Sequence, residues 1–101
     1  EDEEELAEHL AARAAALKRL VQLGRPAEAH RRALEAAPLL DRLLPPAFAW
    51  LPEGEGGAAR RSARWVLNNW AVALYLMGEP AAARAGFRRA LGLGPRGEEG
   101  A

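Results

Sequence analysis

A chain of 101 residues, half of them apolar and with fourteen basic against fourteen acidic groups, has room for one small domain and no charge excess to favour nucleic acid or a membrane surface. With no cysteine it holds neither a disulfide nor a thiolate metal site, which suits a reducing cytoplasm. No apolar run approaches the roughly 20 residues that span a bilayer, and the start Glu1-Asp2-Glu3-Glu4-Glu5 is the reverse of a basic signal-peptide opening.

The first expected element is a helix from about Asp2 to Leu23, with Leu6, Leu10, Ala14, Leu17 and Val21 three and four residues apart. Asp2 is placed to cap it with Glu5 three residues on, and its acidic opening suits the positive end of the helix dipole. Gly24 ends it, and Pro26 opens a second helix that reaches Ala37, or Leu44 if it survives Pro38. Both are open at this point: an interior proline costs about 3 kcal/mol, yet Leu39, Leu40, Leu43 and Leu44 keep the helical spacing. Residues 45–57, rich in Pro and Gly, read as a loop whose Phe48, Trp50 and Leu51 tuck onto the helices. A third helix runs from about Ala58 to Met77 and is apolar nearly all round, so it is either central or offers one face to a partner. The fourth runs from Pro80 to about Leu91 and is stopped by Gly92, Gly94 and Pro95. Residues 96–101 are expected to be a disordered tail. The absence of Thr and Ile, with Val21, Val66 and Val72 the only β-branched residues, removes the residues strands favour, so the fold is expected to be all-α. The chain also begins without Met, as a segment of a longer protein would.

Charge is unevenly placed. Residues 1–57 carry seven basic and eleven acidic groups, a net −4, whereas residues 58–96 carry seven Arg against Glu79 alone, a net +6.

The two helix pairs share one signal. Leu23-Gly24-Arg25-Pro26-Ala27-Glu28-Ala29 echoes Met77-Gly78-Glu79-Pro80-Ala81-Ala82-Ala83, and each continues into an Arg- and Ala-rich helix. A Gly-x-Pro turn between amphipathic helices describes an αα-hairpin, and its recurrence describes a repeat. Over residues 65–95 the pattern resembles the tetratricopeptide repeat, a helix pair of about 34 residues. Its signature steps fall on Leu67, Trp70, Ala71, Leu74, Ala83, Phe87, Ala90 and Pro95, with Gly78 at the turn. The first pair matches through Ala16, Leu17, Leu20, Gly24, Ala29 and Ala33, with Asp41 where the closing Pro belongs. Gly24 and Gly78 lie 54 positions apart, so about twenty residues interrupt the array.

The resemblance implies a single domain over 1–95: four helices in two antiparallel helix-turn-helix pairs of α-α superhelix type. Repeat 1 covers about 5–44, an insertion 45–57 and repeat 2 about 58–95. It also implies a protein-interaction module that takes a peptide or partner protein in a groove on the first helices, with no cofactor and no catalytic role. Carried over, the groove positions are Ala11, Ala14, Lys18, Val21 and Gln22, then Trp65, Asn68, Asn69, Val72 and Tyr75. Ala14 and Lys18 stand where the carboxylate-gripping subtype has Lys and Asn, a departure from that subtype. For Asn69 the competing reading is a bond between neighbouring helices, and for Trp65 and Tyr75 it is core packing. The alternative function is self-assembly, the acidic first half against the basic second half, because two repeats leave apolar faces open.

The Arg groups Arg31 and Arg32; Arg60, Arg61 and Arg64; and Arg84, Arg88 and Arg89 could bind phosphate, but read better as solvated helix faces, making nucleic acid an unlikely partner. His9 and His30 are too far apart in an α-hairpin to share a metal, and Ser62 has no base near it in sequence.

Overall fold

A computed structural model of the chain describes residues 3–44 and 57–92. They form four α-helices: α1 (Glu3–Gln22), α2 (Pro26–Leu43), α3 (Gly57–Leu76) and α4 (Pro80–Ala90). Among the described residues there is no strand, in keeping with the all-α expectation. Gly57, placed in the loop by its sequence, is instead the first residue of α3. Residues 45–56, with Phe48, Trp50 and Leu51, and residues 93–101, with Pro95, lie outside the described part.

The two turns match bond for bond. The N–H of Arg25 donates to Leu20 O at 2.8 Å and that of Gly24 to Val21 O at 3.0 Å; Glu79 donates to Leu74 O at 2.9 Å and Gly78 to Tyr75 O at 3.1 Å. This is the Schellman closure, which needs a left-handed residue just past the helix. Gly24 at φ +77 and Gly78 at φ +84 supply it. Pro26 and Pro80 then begin the following helices, where a missing N–H goes unused.

Helix α2 continues through Pro38 without a break. Pro38 is exposed, and Leu34, whose carbonyl loses its helical donor, is 49 % exposed, so solvent can serve that oxygen. Beyond the proline Leu40 and Leu44 are both 0 % exposed. Their burial, worth about 1.5–3 kcal/mol each, is comparable to the local penalty and decides the outcome.

Helix α3 packs against all three others, and α1 also packs against α2. Two polar contacts show that α1 and α3 run parallel. Near their starts the Glu3 carboxylate accepts the Ala59 N–H at 2.9 Å; eleven residues along α1, the Asn69 amide donates to Ala14 O at 2.8 Å. Arg13 of α1 reaches Arg32 and Glu35 of α2, and Ala71 of α3 lies beside Gly86 of α4, so each hairpin returns antiparallel.

The core is mostly alanine. Leu10, Leu17, Leu40, Leu44 and Val66 are its largest fully buried side chains. Small residues let the helices approach closely: a Cβ on Gly86 would stand 3.1 Å from the Ala71 Cβ. Equivalent steps of the two hairpins carry different side-chain sizes. The first has Leu17 on α1 and Ala33 on α2, both 0 % exposed, whereas the second has buried Ala71 on α3 and half-buried Phe87 on α4.

Candidate functional site

The side chains that α3 leaves uncovered form one stripe. At 3.6 residues per turn, Arg61, Trp65, Asn68, Val72, Tyr75 and Leu76 fall within an arc of about 120°, opposite the buried arc of Ala63, Val66, Leu67 and Ala71. Trp65 is 60 % exposed, Tyr75 63 % and Leu76 54 %, while Val72 is half-buried. An aromatic pair this open is not core, so the core reading of Trp65 and Tyr75 fails.

Beside this stripe α1 presents Ala11, Ala15, Lys18 and Gln22, all exposed except half-buried Ala11. The small alanines leave a groove of about 310 Å³ lined by Ala11, Ala14, Ala15, Lys18, Trp65 and Asn69. Ala14, 4 % exposed, belongs to its floor, and Val21 packs half-buried against the core. Asn69 has a structural task, because its amide nitrogen holds Ala14 O; its oxygen faces the Asn68 amide at 3.5 Å, the limit of a hydrogen bond. Leu76 and Ala15 were not singled out in the sequence, although both continue the helical spacing of Trp65, Val72, Ala11 and Lys18.

Trp70 turns away from the groove. Its indole N–H donates to His30 Nδ1 at 2.9 Å, with the rings tilted and 6.0 Å apart, tying α3 to α2. Acceptance at Nδ1 places the proton of the neutral imidazole on Nε2. Trp70→Phe keeps most of the packing and removes the donor. The expected cost is about 0.5–1.5 kcal/mol in urea unfolding with an unchanged m-value, and an unshifted midpoint would count against this tie.

The arginines divide. Arg89 is not part of a solvated face: its guanidinium donates to Leu44 O and Asp41 at the end of α2. Arg32 pairs with Glu28 at 3.5 Å and its carbonyl accepts from Arg13. Arg60 and Arg64 are half-buried, and guanidinium nitrogens of both lack a hydrogen-bond partner among the described residues. His9 lines a second depression of about 280 Å³ with Arg13, Arg32 and Glu35, apart from His30. Among the described residues no three His, Cys, Asp or Glu side chains gather as metal ligands, and no helix is long and apolar enough to cross a membrane.

No protein-family model, curated protein or solved structure matches this chain.

Proposed function

We propose that the chain is a protein-interaction module of tetratricopeptide type, with α1 and α3 as the first helices of two repeats. In this reading it binds rather than catalyses. Its docking face comprises Lys18, Gln22, Trp65, Asn68, Val72, Tyr75 and Leu76, with Asn69 fixing the two helices that carry it. The reading is supported by the duplicated Gly-x-Pro turn, by the parallel α1 and α3, and by the close approach of Gly86 to Ala71. The observation that carries it is Trp65, a large aromatic left 60 % exposed beside an alanine-floored groove. Exposed aromatics surrounded by polar groups are where binding energy concentrates.

The test is selection from a displayed library of random peptides on sparsely immobilised protein. Enrichment of sequences with an apolar anchor is expected, and Trp65→Ala should abolish it while circular dichroism and melting stay unchanged. No enrichment, or enrichment indifferent to Trp65, would sink the reading.

A further inference from the structure

We infer that the occupant of this face is a second copy of the chain, docked face to face about a two-fold axis that crosses α1 near residue 13 and α3 near residue 68. The inference rests on the reading of the α1–α3 face as a docking surface.

The argument begins with the stripe Glu4, Glu8, Ala11, Ala15, Lys18 and Gln22 on α1. Its steps alternate four and three residues, the spacing of a helix-pairing seam. Its charge changes sign across its midpoint, acidic at Glu4 and Glu8 and basic at Lys18, with neutral Gln22 as the mate of Glu4. An antiparallel copy therefore sets Glu8 against the partner's Lys18, and Lys18 against the partner's Glu8. The same operation sets Ala11 against the partner's Ala15, so nothing larger than a methyl group keeps the two helices apart. Neither Glu8 nor Lys18 enters an ion pair among the described residues, and both are exposed.

The Asn69 bond to Ala14 fixes α3 level with α1, so the axis passes Asn68. There the operation places Trp65 on the partner's Val72 and Arg61 on the partner's Tyr75, an aromatic face suited to a cation. Asn68 meets its own copy, and an amide both donates and accepts, so it can pair with itself. No like charges are brought together. Such an isologous contact closes at two copies, and it covers Trp65, Tyr75 and Leu76, the largest exposed apolar groups of α3.

Sedimentation equilibrium tests this with a charge swap. The wild-type chain should show a dimer that dissociates on dilution and is weakened by salt. Glu8→Lys and Lys18→Glu each turn two attractions into two repulsions and should weaken dimerisation on the order of tenfold or more. An equimolar mixture of the two variants restores both attractions and should dimerise again. Ala15→Arg, at an exposed position, should block the close approach without affecting folding. A wild-type chain monomeric at the highest attainable concentration overturns the inference. So do single variants that dimerise like wild type, or a mixture that stays monomeric. If a monomeric wild type still takes library peptides in a Trp65-dependent way, only the second copy is refuted; if Trp65 proves indifferent in both assays, the docking face itself falls.

Discussion

Truncating Leu17 to alanine is expected to lower the unfolding free energy by about 2–5 kcal/mol, enough to abolish much of the 5–15 kcal/mol typical of a small domain. Leu17 is one of the five largest fully buried side chains among the described residues. The core cluster it belongs to includes Ala14, Ala29, Ala33, Ala36, Ala63, Ala73 and Ala90, which have no rotamer with which to reach into a space left behind. The cavity therefore persists, and the cost belongs in the upper part of the range. Urea unfolding followed by circular dichroism measures it; a loss under about 1 kcal/mol would mean that α1 is not held as described. The hairpin equivalence supplies a second arm. Ala33→Phe alone overpacks the first hairpin by about 1–3 kcal/mol. Combined with Leu17→Ala it places a small and a large residue at the steps where the second hairpin has Ala71 and Phe87. The double variant should lose less stability than the two single losses together, a coupling that a double-mutant cycle resolves. Strict additivity would refute the equivalence of these steps.

What the sequence made legible was local. Gly24-x-Pro26 and Gly78-x-Pro80 announced two turns because a left-handed glycine followed by a helix-opening proline has few other uses, and both turns form with the same hydrogen bonds. The spacing around Trp65 placed Trp65, Asn68, Val72 and Tyr75 on one stripe, but periodicity cannot say whether a stripe faces the core. α3 is apolar on most sides, and only its packing against α1, α2 and α4 shows that Trp65 is left open. Pro38 was undecidable for a related reason. Its local penalty and the burial of Leu40 and Leu44 are similar in size, and the second becomes countable only once the core is known. Asn69 and Arg89 were hidden more deeply, since each binds a backbone carbonyl of another helix and a carbonyl leaves no trace in residue identity.

Replacing Arg89 with alanine is expected to cost about 1.5–3 kcal/mol, the range for hydrogen bonds made by a charged group, with the damage centred on a different helix. The guanidinium reaches from α4 to the end of α2, where its Nε donates to Leu44 O at 2.9 Å and Nη2 to Asp41 Oδ1 at 2.9 Å, with a second Nη2 contact to Leu44 O and a longer one of 3.4 Å to Leu40 O. Leu44 O lies just past the helix C-terminus, where no further turn supplies an N–H donor, and the dipole favours a cation there; Leu40 O also accepts the Leu44 N–H at 2.7 Å. The side chain is only 24 % exposed, so solvent screens the interaction incompletely. The bond that Pro38 removes is the one to Leu34 O, in the middle of α2, whereas Arg89 holds the last turn. In Arg89→Ala the amides of Leu43 and Leu44 should therefore exchange with solvent far faster, while those of Ala29 and Ala33 in the first turns of α2 change only with global stability. Arg89→Lys retains the charge but not the fork that spans two carbonyls and a carboxylate, so it should recover less than half of the loss. Uniform acceleration along the whole of α2 would show that Arg89 acts only through overall stability, and a full rescue by lysine would reduce its role to charge at a helix end.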